Sequence, residues 1–156
     1  DAAREMAKKW VAEADDGDHY RLAFDKPGTW SLKYNLVWDA ILGFNIFPPE
    51  VARREVAFYK KTQKRYGIPL DNRSDYTKLD WVVWAAALAE TQEDFKALAE
   101  PAYAFAHESP DRVPLSDWYW TTDARVRGFR ARSVVGGLFI KMLKDEATWK
   151  RWSARP

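Results

Sequence analysis

The sequence predicts an all-α fold in which helical hairpins are arranged in two layers. Three observations support this prediction: apolar residues recur at helical spacing in six segments, no segment alternates convincingly as a strand does, and amphipathic segments alternate along the chain with nearly all-apolar ones. The chain has 156 residues, of which 47% are hydrophobic. That length and composition fit one unit with a packed core, so we expect residues 1–156 to form a single all-α domain.

The amphipathic segments are the predicted outer helices, at 2–14, 49–66 and 92–107. Each has one apolar stripe and one charged face, the pattern of a helix that is half in contact with solvent. Pro49 suits the first turn of the second helix, because the N–H that proline lacks has no helical partner there. Thr91 is placed to cap the third helix.

The nearly all-apolar segments are the predicted inner helices, at 33–46, 78–90 and 133–144. A helix that is apolar on every side is normally buried. Gly136 and Gly137 lower the helix propensity of the last segment. We expect these glycines to allow the close approach of another backbone.

The connections between the predicted helices differ in length. Links from an inner to an outer helix are short, whereas the outer-to-inner loops at 15–32, 67–77 and 108–132 are long. Antiparallel neighbours place all three long loops at one end of the molecule, together with the N-termini of the inner helices. We expect a functional site at that end, because long loops on a rigid scaffold usually carry function.

Composition argues against several classes of partner and site. The net charge is only +2 and no stretch is strongly basic, so we expect no nucleic-acid partner. No apolar run reaches the roughly 18 residues of a membrane span, so we expect no membrane partner. The chain has no cysteine and only 2 histidines, and a zinc site would therefore need aspartate ligands. We expect neither a metal nor a cofactor.

The second long loop and the helix after it contain a dense group of charges. Asp71, Arg73, Lys78 and Asp80 follow one another closely, and Asp71 and Arg73 are placed to form an ion pair. Lys78 and Asp80 fall in the first turn of a nearly all-apolar helix. Burial there could tune a carboxylate as a general acid or base. The alternative is a structural salt-bridge network.

The third long loop adds Asp117 as a further carboxylate, and Arg132 just before the last apolar helix. An arginine beside helix N-termini can hold a substrate carboxylate through two hydrogen bonds. The alternative is a surface arginine. Tryptophans and tyrosines are frequent in all three long loops, which favours the wall of a cleft. The alternative is that these rings pin the loops to the core.

Four runs in and around the long loops form ordered motifs: LAFDKPGTWSLKYNLVWD (22–39), YGIPLDNRSDYTKLDW (66–81), RVPLSDWYWT (112–121) and GFRARSVVGGLFIKML (128–143). They resemble the C-terminal region of the glutaminase A family, and the resemblance covers about residues 1–145. It implies a catalytic region similar to the six-hairpin glycosidases, an (α/α)6 toroid of which this chain would be about half. It also implies a secreted or periplasmic location, and an apolar edge that pairs with the rest of the toroid or with a second copy.

The resemblance implies hydrolysis of the side-chain amide of glutamine, a small-molecule substrate, to glutamate and ammonia. Asp80 or Asp71 would then act as general base, and Arg132 or Lys33 would hold the substrate carboxylate. The residues that would form the site are Asp71, Lys78, Asp80 and Asp117 as catalytic groups, and Trp30, Lys33, Asp39, Arg73, Trp81, Trp118 and Arg132 as substrate-binding groups.

Two other functions stay open at this point. The similarity to six-hairpin glycosidases allows a glycoside hydrolase, in which Asp39 or Asp80 pairs with Asp117 as acid and base. A separation of roughly 5–5.5 Å between the two carboxyl groups would fit retention of configuration, and roughly 6.5–9.5 Å would fit inversion. The third function is a non-catalytic domain, structural or binding, without a complete site in these residues.

Overall fold

The computed structural model describes residues 1–111 and 115–154, so the first three residues of the 112–121 motif lie outside the described residues. This part of the chain is mainly helical, as predicted, and none of its helices is long and apolar enough to cross a membrane. The α-helices are α1 (Ala2–Glu13), α2 (Leu36–Ile41), α3 (Pro49–Thr62), α4 (Leu79–Ala86), α5 (Gln92–Glu108), α6 (Ile140–Lys144) and α7 (Glu146–Ser153); a 3₁₀ helix covers Ser133–Phe139, and the strands are β1 (Tyr76–Lys78) and β2 (Trp118–Trp120).

Helix α4 lies at the centre of the main core. Leu79, Val82 and Ala86 are at most 2% exposed, and the helix packs against α5, the 3₁₀ helix and β1. Burying one Leu or Val side chain stabilises a fold by about 1.5–3 kcal/mol relative to leaving it in water. The predicted inner helix at 78–90 is confirmed, although the α-helix itself ends at Ala86.

The three predicted amphipathic helices are confirmed as α1, α3 and α5. The predicted cap of α5 is present, since the backbone N–H of Asp94 donates to Thr91 Oγ1 at 3.1 Å. Helix α1 contributes to a second, smaller core, in which Trp10 packs against Tyr20 and Val51. That small core holds the first long loop against α3.

The expectation of no strand is wrong at two places. β1 and β2 form an antiparallel pair, and each strand is only three residues long, too short for alternation to show in the sequence. The central residue of each strand is fully buried, while its neighbours on the outer face are half-buried. The register pairs Tyr76 with Trp120, Thr77 with Tyr119 and Lys78 with Trp118.

The predicted buried helix at 33–46 is wrong in both length and burial. Helix α2 covers only Leu36–Ile41, and Val37 is its buried residue. Gly43 has a φ of +66°, and this left-handed conformation ends the helix. Beyond the helix end, Leu42 is 55% exposed and Phe44 is 54% exposed. This segment therefore leaves apolar surface uncovered within the described chain.

The segment predicted as a buried helix at 133–144 is a 3₁₀ helix followed by the short α6, and Ile140 is its buried residue. Gly137 does have a close neighbour, but it is a side chain and not the predicted backbone: an added Cβ would lie 2.7 Å from Trp84 Nε1. The prediction is wrong for Gly136, which has open space around it. The sequence analysis also missed α7, which begins at Glu146 directly after its N-cap residue Asp145.

Candidate functional site

Asp117 lies in the chain just before β2, and its side chain is completely buried. Arg132 Nε donates to Oδ1 at 3.0 Å, the same guanidinium also contacts Oδ2, and Lys78 Nζ donates to Oδ2 at 3.2 Å. Burial opposes ionisation, but the hydrogen bonds from Arg132 and Lys78 outweigh it and lower the pKa of Asp117. Asp117 is therefore held as an anion between two cations.

Asp80 occupies the first turn of α4 and is only 4% exposed. Its Oδ1 has no hydrogen-bond partner among the described residues. Burial is the largest cause of the raised pKa of Asp80, and the negative charge of Asp117 raises that pKa further. Backbone N–H groups of the first helical turn lower the pKa only in part. Asp80 is therefore harder to ionise than an ordinary aspartate, and its neighbour Asp117 ionises more readily than one.

Aromatic rings surround the ammonium group of Lys78, whose side chain is 15% exposed. Cation–π contacts of this kind are worth about 0.5–2 kcal/mol, depending on how far the pair is desolvated. Lys78 is thus fixed between the rings and Asp117. The distances from Nζ to the ring centres are 5.4 Å for Trp81, 5.3 Å for Trp118 and 5.1 Å for Phe129. We refer to Lys78, Asp80, Asp117 and Arg132 as the Asp80–Asp117 cluster.

The 3₁₀ helix packs directly over Asp80 at Gly137. Trp84 Nε1 donates to the carbonyl oxygen of Gly137 at 3.0 Å. A Cβ at Gly137 would lie 3.0 Å from Asp80 Cβ, so only glycine fits between this segment and α4. The sequence analysis named Gly137 for its close approach, but it missed Trp84 and Phe129 as neighbours of the cluster. The double glycine was the signal that could have led to Trp84.

Three other predicted site residues, Trp30, Asp71 and Arg73, line a different cleft. Arg73 Nη2 and Nε donate to the two carboxylate oxygens of Asp71 at 2.7 and 3.0 Å, so the predicted ion pair is present. Burial raises the pKa of Asp71, but these hydrogen bonds outweigh burial and the pKa is lowered. This cleft lies at the Trp120 end of the sheet, whereas the Asp80–Asp117 cluster lies at the Trp118 end. All predicted site residues except Lys33 and Asp39 therefore fall into two groups.

Lys33 and Asp39 have other contacts. Lys33 Nζ donates to the carbonyl oxygen of Tyr20 and to both the carbonyl and the hydroxyl of Ser31, each at 3.0 Å. Burial is the largest cause of its lowered pKa. Asp39 accepts hydrogen bonds at 3.0 Å from backbone N–H groups of the loop after α2, including that of Ile46. These contacts account for both side chains without a substrate.

Residues 1–142 match the family model described as the glutaminase A six helical-hairpin domain. The chain belongs to this family. The matched range contains all four members of the Asp80–Asp117 cluster and ends before α7. The sequence-based resemblance to the glutaminase A family is thereby confirmed.

Two curated relatives support membership of the same family. The chain is 32% identical over 149 residues to "Glutaminase A" of Aspergillus oryzae (strain ATCC 42149 / RIB 40), an alignment that covers 90% of this chain and 21% of that protein. It is 30% identical over 162 residues to a "Probable glutaminase" of Arthroderma benhamiae (strain ATCC MYA-4681 / CBS 112371), which covers 85% of this chain and 19% of that protein. The chain thus spans about one fifth of the length of these relatives. Among solved structures there is no significant match.

Proposed function

We propose that the Asp80–Asp117 cluster belongs to the active site of an amidohydrolase that converts glutamine to glutamate and ammonia. The observation that carries the proposal is the pair of neighbouring carboxyl groups, in which the pKa of Asp80 is raised and that of Asp117 is lowered. Opposed pKa shifts of this kind distinguish an acid–base residue from its charged neighbour. The glutaminase names of both relatives supply the substrate.

Asp80 would act first as base and then as acid. As base it accepts a proton from water while the water oxygen bonds to the amide carbon of the substrate. As acid it returns that proton to the amide nitrogen while the C–N bond breaks, so that ammonia leaves and glutamate remains. A raised pKa suits both steps, because the group then accepts and releases a proton closer to neutral pH.

The other members of the cluster would hold the substrate and Asp80 in place. Arg132 keeps 36% of its side chain exposed, so its guanidinium has donors left for the substrate carboxylate while it remains bound to Asp117. Asp117 is completely buried and positions the two cations. Because Asp80 itself is only 4% exposed, substrate binding would require the 3₁₀ segment at Gly137 to shift away from α4.

Ammonia release from glutamine by the protein in its natural full length tests the proposal. Asp80→Asn should lower kcat by about 10²-fold or more, the usual contribution of a general acid–base group. Asp123→Asn is the matched control, because Asp123 is an exposed loop carboxylate with a weak ion pair. Equal ammonia release by wild-type protein and a folded Asp80→Asn variant would reject the role of Asp80.

The contacts give less support to a glycoside hydrolase. That chemistry needs two carboxyl groups that reach the scissile bond, but Asp117 is completely buried and ion-paired to two cations. Asp39, the alternative member of the pair, is engaged by backbone N–H groups of its own loop. Release of reducing sugar from oligosaccharides, lost in Asp80→Asn, would favour the glycosidase. Absence of both activities in the folded protein would favour a non-catalytic domain.

We further propose that the chain is about half of an (α/α)6 toroid and pairs with further helical hairpins of the same domain. The matching family model describes six hairpins, and the two relatives are about five times longer than this chain. Exposed apolar patches of this kind usually mark interaction sites. What we call the apolar face consists of Phe139, Met142, Trp149 and Trp152, which line one groove and are all more than two-fifths exposed.

A further inference from the structure

A second cleft, of about 580 Å³, is lined by Trp30, Trp120 and the turn at residues 71–75. We call it the Trp30 cleft. Its lining, within the described part of the chain, includes no member of the Asp80–Asp117 cluster. The volume falls within the range of about 300–1,000 Å³ that is typical of small-molecule sites.

The walls of the Trp30 cleft are held together by hydrogen bonds between segments that are distant in sequence. The backbone N–H of Trp30 donates to Asn72 Oδ1 at 3.1 Å, and the N–H of Asn72 donates back to the carbonyl oxygen of Trp30 at 3.3 Å. The N–H and the hydroxyl of Thr121, which lies between the lining residues Trp120 and Thr122, donate to the carbonyl oxygen of Asp75 at 2.9 and 2.7 Å. The cleft is therefore formed before a ligand binds, which lowers the entropic cost of binding.

The charges that line the Trp30 cleft are paired within the protein. Asp71 is bound by two nitrogens of Arg73, and Asp75 lies 3.8 Å from Lys64 Nζ. Each carboxylate thus has a cation beside it, and the four charges sum to zero. A charged ligand would gain no net attraction in such a cleft and would lose its hydration. The cleft therefore favours a neutral ligand that both donates and accepts many hydrogen bonds.

We propose that the Trp30 cleft binds a neutral carbohydrate. The indole rings of Trp30 and Trp120 offer flat apolar surface for the non-polar face of a sugar ring. Asn72 supplies both donors and acceptors, Arg73 supplies donors and Asp75 supplies acceptors, the combination that sugar hydroxyls require. Because both carboxylates are ion-paired, the cleft is a binding site without acid–base chemistry. The proposal does not depend on the glutaminase activity.

Isothermal titration of the intact protein with neutral trisaccharides tests the proposal, with cellotriose, maltotriose and mannotriose as ligands. One or more of them should bind saturably. Trp120→Ala should weaken that binding about tenfold or more, because it removes one aromatic wall. Thr122→Trp is a second variant that fills the cleft from an exposed position and should block binding. Tyr103→Ala is the control, since Tyr103 is an aromatic residue on α5 that is 71% exposed and does not line the cleft.

The origin of the sugar can be distinguished in the same experiment. A glycoprotein with a mannose-rich glycan and its enzymatically deglycosylated form serve as further ligands. Binding of the glycosylated form alone supports a glycoprotein ligand, and binding of free trisaccharides supports an oligosaccharide ligand. No binding of any of these sugars up to about 10 mM by folded protein, or binding that is unchanged in both Trp120→Ala and Thr122→Trp, would overturn the proposal.

Discussion

Replacement of Asp80 by asparagine should stabilise the protein, but only at pH values above the pKa of an ordinary aspartate. The Asp80 carboxyl is buried, its Oδ1 is unpartnered among the described residues, and its pKa is raised. The stability that a carboxyl of raised pKa contributes is fully present below the unfolded pKa, about 3.9. It is lost as the pH rises through the folded pKa, because the buried group must then ionise. Asparagine cannot ionise, so the variant avoids this loss.

The expected size of the effect follows from the cost of a buried, unpaired charge. One unit of pKa shift corresponds to about 1.4 kcal/mol, and an unsatisfied buried polar group costs about 1–3 kcal/mol. Asparagine has the same shape as aspartate but still leaves a polar atom unpaired, so only the part due to charge is recovered. We expect a gain of about 1–2 kcal/mol in the free energy of unfolding at pH 8, and no gain at pH 3. For a chain of this length the gain corresponds to a rise in Tm of about 2–8 °C.

Thermal unfolding followed by circular dichroism at pH 8 and pH 3 measures this difference. Glu55 is the other described carboxyl whose burial raises its pKa, but it is present in both proteins and cancels in the comparison. Asp123→Asn is the control and should show no pH-dependent difference. A loss of stability in Asp80→Asn at pH 8, or an equal shift at both pH values, would refute the reasoning.

Four further substitutions test the packing around the cluster and the apolar face. Asp117→Asn should lower the free energy of unfolding by about 3–5 kcal/mol in urea titrations, because it leaves two cations without their buried anion; a loss below about 1 kcal/mol would contradict this. Gly137→Ala should cost about 1–3 kcal/mol, because its Cβ would lie 2.7 Å from Trp84 Nε1. Gly136→Ala, which meets no atom within 4 Å, should instead gain about 0.4–1 kcal/mol. Phe139→Ser should reduce self-association of the isolated chain in light scattering, since Phe139 is 65% exposed on the apolar face; a wild-type chain that stays monomeric at high concentration would count against the proposed pairing.

The sequence predicted the helices well where the apolar face of a segment is covered by other residues of this chain. Helix α4 is apolar all round and is buried, and the amphipathic α3 and α5 lie against the core as expected. The rule that a segment apolar on every side is a buried helix failed at 33–46 and at 133–144. An apolar pattern indicates that a segment must be covered, but it does not show which part of the protein covers it. Both failures leave apolar side chains exposed, which is the observation behind the proposed pairing with further hairpins.

The sequence named the charged residues of the candidate site but did not predict which of them lie together. Asp71 is closer in sequence to Asp80 than Asp117 is, yet Asp71 lines the Trp30 cleft, whereas Asp117 belongs to the Asp80–Asp117 cluster. The pairing of β1 with β2 decides this, and three-residue strands carry no readable sequence signal.

The register of β1 and β2 is fixed by packing in the core, and it determines where Asp117 lies. Tyr119 is fully buried and stacks on Phe105 with ring centres 3.6 Å apart, so β2 has one residue that must point inward. With that residue fixed, Trp118 lies opposite Lys78, and the backbone N–H of Leu79 donates to the carbonyl oxygen of Asp117 at 2.7 Å. A slip of one residue would turn every side chain of β2 to the other face. It would expose the buried tyrosine and separate the carboxylate from its cations, so the same packing that stabilises the core also places Asp117 beside Asp80.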